Sequence, residues 1–184
     1  MRELVVRARG GDRDAFSELA ARSIGRLNAV ARMILRDEYA AQDAVQDTFI
    51  EAWRSLPGLR DPDRFDAWMR RLLVRACSSN ARRSRRVDAV EIRLTPADEP
   101  AVAGGERDLA DHDELERGLA RLPVEQRAVV VLVYYLDLPL ADAADALGIP
   151  LGTTKSRLNR ATSALRAVIE ADNREPSLMG EQIA

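Results

Sequence analysis

Residues 150–169 read PLGTTKSRLNRATSALRAVI, and every charged side chain in that stretch is positive: Lys155, Arg157, Arg160 and Arg166. Upstream, Leu140 to Leu147 makes a shorter helical pattern that Gly148 breaks. A helix, a glycine turn and a basic second helix outline a helix-turn-helix that lays its second helix in a DNA groove. Pro150 suits the start of that helix, where a missing N–H costs no hydrogen bond. Leu151, Leu158, Ala161 and Leu165 recur at i, i+7, i+10 and i+14 and are expected to face a core. Thr153, Lys155, Ser156, Asn159 and Arg160 then look outward, all types that reach phosphates or base edges. The competing reading is a solvated amphipathic helix that closes a bundle.

Working outward, the whole chain of 184 residues is 46% apolar, 32% charged and only 4% aromatic. It is long enough for one ordinary domain or two small ones, and apolar enough to bury a core. Helix-period segments separated by turn signals predict an all-α protein. The net charge of −2 hides a strong division along the chain. Residues 1–86 hold 18 arginines against 12 carboxylates, and residues 87–120 hold 3 against 10. The basic charge is therefore local. Cys77 is the only cysteine and His112 the only histidine, so no internal disulfide and no Cys/His zinc cluster can form. Cys77 reads as a small core residue. Neither a signal peptide nor an apolar run of about 20 residues is found, and a cytoplasmic protein with no membrane insertion is expected.

In the first part of the chain, Glu3 to Arg9 forms a short helix ended by Gly10 and Gly11, and Asp12 caps a long one. That long helix carries Phe16, Leu19, Ile24, Leu27, Val30 and Ile34 at helical spacing. The next helix, from about Ala40 to Leu56, buries Val45, Phe49, Ala52, Trp53 and Leu56 and stops before Pro57-Gly58. Its opposite face shows Asp43, Gln46, Asp47 and Arg54, which a solvated surface alone would explain. A turn-rich loop bearing Arg60 and Arg64 leads into a third long helix with Phe65, Trp68, Met69, Leu72 and Ala76 as its core stripe. The other side carries Arg64, Arg71, Arg75, Ser78 and Arg82 and runs into Arg82-Arg83-Ser84-Arg85-Arg86, a pattern that fits a phosphate track. Trp68 reads as core, with base stacking as the alternative.

Periodicity is expected to fail from Val87 to Asp108, where Pro96, Pro100, Gly104 and Gly105 stand among acids, as in a flexible linker. The expected layout is a first domain at 1–86, an acidic linker at 87–111, a second domain at 112–172 and a polar tail at 173–184. In the second domain the apolar run Val129 to Leu136 could be a buried strand. Helix is preferred because Pro123-Val124-Glu125-Gln126 starts one well.

Three blocks in this order, AQDAVQDTFIEAWRSL, RFDAWMRRLLVRACSSNARRSRR and LPVEQRAVVVLVYYLDLPLADAADALGIPLGTTKSRLNRA, resemble a bacterial sigma-70 family RNA polymerase sigma factor of the extracytoplasmic-function group. The resemblance covers about residues 1–170. It implies that Asp43, Gln46, Asp47 and Phe49, bordered by Arg54, dock on the coiled coil of the polymerase's largest subunit. It implies that the loop Pro57–Arg64 and the following helix capture a flipped base and the melted strand of the minus-ten element. Arg60, Arg64, Trp68, Arg71, Arg75, Ser79 and Arg82 belong to that surface. It places Thr153, Thr154, Lys155, Ser156, Arg157, Asn159 and Arg160 at the minus-thirty-five element. The implied partners are core RNA polymerase, promoter DNA as duplex and as melted single strand, and an anti-sigma factor, with no cofactor, no metal and no catalytic residue. Two alternatives stay open on the residues alone. One is a free-standing helix-turn-helix regulator. The other is an enzyme, for instance a helical nuclease or recombinase using an acidic pair such as Asp43 and Asp47, which share a helix face at i, i+4 but lack a third ligand nearby.

Overall fold

The computed structural model describes residues 1–91 and 117–172. The chain folds as α1 (Arg2–Arg9), α2 (Arg13–Leu35), α3 (Glu38–Ser55), α4 (Phe65–Glu91), α5 (117–121), α6 (Val124–Val130), α7 (Leu140–Leu147) and α8 (Leu151–Asp172). No strand occurs among the described residues, so the apolar run after Pro123 is helical, as expected. The remainder of the acidic linker from 92, His112, the start of the second domain and the tail lie outside the described residues.

Local chemistry sets most boundaries. The Asp12 carboxylate accepts from the Ala15 amide at 3.0 Å, and Asp37 accepts from Ala40 at 2.8 Å, each satisfying an orphan donor of the helix it opens. Arg36, at φ 57°, ends α2 in a left-handed turn, and Gly148 at φ 65° does the same for α7. α4 runs on to Glu91, past the end expected at 86. The residues Val87–Glu91 contain no breaker, and the first proline of the linker stands only at Pro96.

In the first unit α1, α2, α3 and α4 surround Val5, Leu19, Val30, Ile34, Phe65, Met69 and Leu73, all almost completely buried. The inner face of α3 is built from small residues, Ala41, Ala44, Val45, Thr48 and Ala52, which let the helices approach closely. Thr48 stays satisfied there because its hydroxyl donates to the Ala44 carbonyl at 2.6 Å. Two expected core residues sit elsewhere. Trp53 is 37% exposed and meets the edge of Phe16, ring centroids 5.0 Å apart, so it covers the rim of the core. Ile24 is also exposed, on the outer side of α2.

Cys77 lies fully buried on α4, and burial pushes its thiol up to about 12. The reactive thiolate is therefore scarce at neutral pH. Native protein should leave Ellman's reagent uncoloured and release one equivalent of thionitrobenzoate only when denatured. Rapid reaction of the native protein would contradict this packing.

In the second unit Leu122, Val130 and Ala161 are buried together, with Leu119, Leu158 and Leu165 against them. Gly118 permits the contact between α5 and α8, because a β-carbon there would lie 2.7 Å from Leu165 Cδ2. The helix α6 ends in a π turn over Val131–Tyr135, closed by the Leu136 amide donating to the Val131 carbonyl at 3.1 Å. Leu151, expected in the core, is 43% exposed at the first turn of α8.

The two units are in contact. α7 packs on α4, and α6 on α2 and α4, so Ala128, Val131, Leu132, Ala143 and Ala146 share one continuous core with the first unit. This explains the uninterrupted apolar run in α6. The run from Ala128 to Val133, at the end of α6 and in the π turn, is apolar on every side and must be covered on more than one. Val130 faces the second unit while Ala128, Val131 and Leu132 face the first.

Candidate polymerase and promoter surfaces

Three surfaces hold the residues singled out from the sequence. On α3 the inward small residues leave Asp43, Gln46, Asp47 and Arg54 exposed on the opposite side. Phe49 is half-buried and packs against the core. An Asp47 carboxylate oxygen lies 3.8 Å from an Arg83 guanidinium nitrogen at the far end of α4. Both side chains are largely solvated, which makes this pair weak.

The second surface is the loop between α3 and α4 together with the first turns of α4. Two short 3₁₀ turns, Leu56–Gly58 and Pro62–Arg64, shape the loop. The Asp61 carboxylate accepts from the Asp63 amide at 3.0 Å, and Arg9 donates to the Leu59 carbonyl at 3.0 Å, tying the loop to α1. An Arg26–Asp66 pair at 2.8 Å ties the start of α4 to α2. Together these elements enclose an open hollow of about 400 Å³ lined by Leu59, Arg60, Asp61, Arg64, Trp68 and Arg71. Trp68 is half-buried, 6.0 Å from Phe65 between ring centroids, so one side packs and the other lines the hollow. Hollows of this size accept small planar molecules. Beyond it Arg75, Ser79 and Arg82 stand exposed along α4.

Sequence reading missed Arg70, which is half-buried on α4 and sits with Arg64 and Arg71 against α7. Burial lowers its pKa, and the neighbouring Arg26 lowers it further, while Asp66 and Asp142 oppose both. Its signal was hidden because the outward-facing spacing does not include it.

The third surface is the outer side of α8. Lys155, Asn159 and Arg160 are exposed, and Thr153, Ser156 and Arg157 are half-buried. Ser156 donates to the Thr153 carbonyl at 2.9 Å. Thr154 is completely buried, and its hydroxyl donates to the Pro150 carbonyl at 3.2 Å. It pins the first turn of α8 and has no surface to offer DNA, contrary to what the motif implies.

Among the described residues no three of His, Cys, Asp and Glu gather closely enough to hold a metal ion, and no helix is long and apolar enough to cross a membrane.

Residues 19–87 match the family model for sigma-70 region 2, and residues 112–165 match that for sigma-70 region 4. The chain is 34% identical to the extracytoplasmic-function sigma factor SigM of Mycobacterium tuberculosis over 167 residues, covering 91% of this chain and 83% of SigM. The chain belongs to the extracytoplasmic-function group of RNA polymerase sigma factors. This sigma factor is also 32% identical to CnrH of Cupriavidus metallidurans, with 94% of this chain and 95% of CnrH covered. Its fold is similar to that of CnrH solved in complex with the cytosolic domain of CnrY, with a TM-score of 0.64 over 93% of this chain and 97% of that one, at 29% identity. RpoE of Bartonella quintana, 24% identical, shares the fold with a TM-score of 0.68 over 85% of this chain and 98% of that one. The sigma factor binds core RNA polymerase and promoter DNA and directs promoter-specific initiation. A free-standing regulator is set aside, because region 2 would have no counterpart in it.

Proposed function

We propose that the three surfaces divide the work of initiation. Asp43, Gln46 and Asp47, with Phe49 packed behind them and Arg54 beside them, form the polymerase contact. The loop hollow takes a flipped minus-ten base, and Arg60, Arg64, Arg71, Arg75 and Arg82, with Ser79, guide the melted strand. Thr153, Lys155, Ser156, Arg157, Asn159 and Arg160 read the minus-thirty-five duplex. The units responsible are residues 1–86 and 112–172, joined by 87–111 and followed by the tail at 173–184. The protein works in the cytoplasm by binding alone and performs no covalent chemistry. An anti-sigma partner holding both units belongs to the same proposal. It is supported by the nearly full-length similarity to CnrH, which has been solved with the cytosolic domain of CnrY.

The observation that carries the proposal is the hollow at Leu59, Arg60, Arg64, Trp68 and Arg71, where an aromatic face and cationic groups converge. A base stacked on an aromatic ring gains about 1–3 kcal/mol, and arginines neutralise the phosphates that follow it. Run-off transcription with purified core polymerase on fragments of the source genome tests the reading. Transcripts that require the protein should appear, and their aligned start sites should share minus-ten and minus-thirty-five elements. Arg160→Ala should then weaken binding to the minus-thirty-five duplex by about 1–3 kcal/mol, with core polymerase affinity unchanged. Equal damage to both activities would refute the division of labour.

A further inference from the structure

Arg64 and Arg71 each border two hollows. One is the loop hollow described above. The other, of about 200 Å³, lies between the units and is lined by Arg64, Ala67, Arg70 and Arg71 of the α4 region and by Leu138, Asp142, Asp145 and Ala146 of the α7 region. On α7 the two carboxylates stand at i, i+3 and are solvated, while Ala143 and Ala146 beside them are buried against the first unit. Apolar contact thus holds a pair of carboxylates over Arg70 and Arg71 of the helix that would carry the melted strand and over Arg64 of the turn before it.

We infer that the acidic face of α7 masks promoter-strand arginines at the start of α4 in the closed chain, so that Asp142 and Asp145 compete with DNA phosphates for Arg64 and Arg71 and hold Arg70 between them. This rests on the reading of α4 as the strand-binding helix. Two carboxylates at one helical turn's spacing present anionic oxygens to the guanidinium groups much as successive phosphates would, and a guanidinium fork accepts either. A strand cannot enter the 200 Å³ hollow while α7 occupies its other wall. Binding of the minus-ten strand and separation of the units are therefore coupled, and whatever favours one favours the other.

The closed state also carries its own release. Arg127 of α6 is 7% exposed where the units meet, and its Nε finds no hydrogen-bond partner. Burial, and then the charge of Arg36 at the end of α2, lower its pKa to about 10. A buried cation with an unmet donor opposes closure, because opening returns it to water. The α7 carboxylates and the shared apolar core pull the other way. A balance of this kind lets a ligand with modest preference for the open form shift the population.

The test uses the full chain with spin labels on cysteines introduced at Ser17 and Ser163, exposed on α2 and α8, since buried Cys77 escapes labelling. Asp142→Asn with Asp145→Asn should lengthen the inter-label distance and tighten binding of a fluorescent oligothymidine strand about tenfold. The same charge change placed elsewhere, Glu51→Gln with Glu170→Gln, should do neither. Arg127→Met should shift both readouts the opposite way. Saturating oligothymidine should lengthen the distance in the unaltered chain. If strand binding needs Arg71 yet the distance stays fixed in the asparagine variant, masking is overturned and the promoter reading stands. If the distance lengthens while strand affinity is indifferent to Arg71→Ala, the strand-binding reading of α4 fails and the masking inference falls with it.

Discussion

Asp43→Arg combined with Asp47→Arg is expected to cut affinity for core RNA polymerase by roughly 100- to 1,000-fold. The two carboxylates project from the exposed side of α3 one turn apart, with Gln46 between them and Arg54 further along. A surface that docks through carboxylates meets a basic partner, and reversing both charges places like charges opposite each other. Such juxtaposition costs several kcal/mol, and each ~1.4 kcal/mol is tenfold in affinity. The effect is separable from folding. Both positions are solvated, so the substitutions themselves should move stability by about 0.5 kcal/mol or less. The 3.8 Å pair between Asp47 and Arg83 adds at most about 1 kcal/mol, being exposed on both sides. Arg83→Ala supplies the control, since it breaks that pair and leaves the carboxylates in place. Fluorescence anisotropy against core polymerase, beside binding to a minus-thirty-five duplex, gives both readouts. Core affinity within about threefold of the unaltered chain, less than 1 kcal/mol, would remove α3 from the polymerase contact.

Much of this arrangement is legible in the sequence because it depends on local chemistry. Asp12 and Gly148 mark helix ends through a side-chain acceptor or a left-handed backbone, signals that survive any tertiary context, while the cap at Asp37 starts α3 two residues before the Ala40 expected from the sequence. The exposed face of α3 is legible for the same reason, since its small inward residues recur with helical period. What fails is phase and contact. On α8 the buried stripe is Thr154, Leu158, Ala161, Leu165 and Val168, and it begins at a threonine that motif matching assigns to DNA. Leu151 lies at the helix start on the edge of that stripe, so its apolar character misled the phase. Trp53 stands beside Ala52, the true inward position, and finds cover only because Phe16 arrives from α2. The seating of α6 and α7 on the first unit leaves no linear signal beyond the apolar run from Ala128 to Leu136. Arg70 lies beside α7 and Arg127 is buried where α6 meets the first unit, contacts with no linear signal, which is why neither stood out among the many arginines of the chain.

The second large effect is expected at Phe65, where the fold meets the proposed minus-ten surface. Phe65 is the first residue of α4, 2% exposed, and its amide donates to the Pro62 carbonyl to close the loop's last turn. Its ring lies against Trp68, a wall of the loop hollow. Phe65→Ala should destabilise the protein by about 3–5 kcal/mol, the transfer loss plus the cavity left behind. That is a large share of a typical total of 5–15 kcal/mol. The neighbouring ion pairs cannot offset it. Arg26–Asp66 and Arg2–Asp63 are solvated, and such pairs contribute about 0–1 kcal/mol each. Phe65→Leu keeps most of the volume and should cost less than about 1.5 kcal/mol. Urea unfolding followed by far-ultraviolet circular dichroism gives the ranking, and tryptophan fluorescence in a Trp53→Phe background reports Trp68 alone. Under conditions where Phe65→Ala remains folded, affinity for single-stranded DNA should still fall, because Trp68 loses its backing and the hollow its wall, whereas Phe65→Leu should retain most of it. A cost below about 1 kcal/mol for the alanine variant would mean that the apolar core does not anchor the loop. The positioning of Arg60, Arg64 and Trp68 would then rest on polar ties, from Arg9 and Asp61 in the loop and from the Arg2–Asp63 and Arg26–Asp66 pairs.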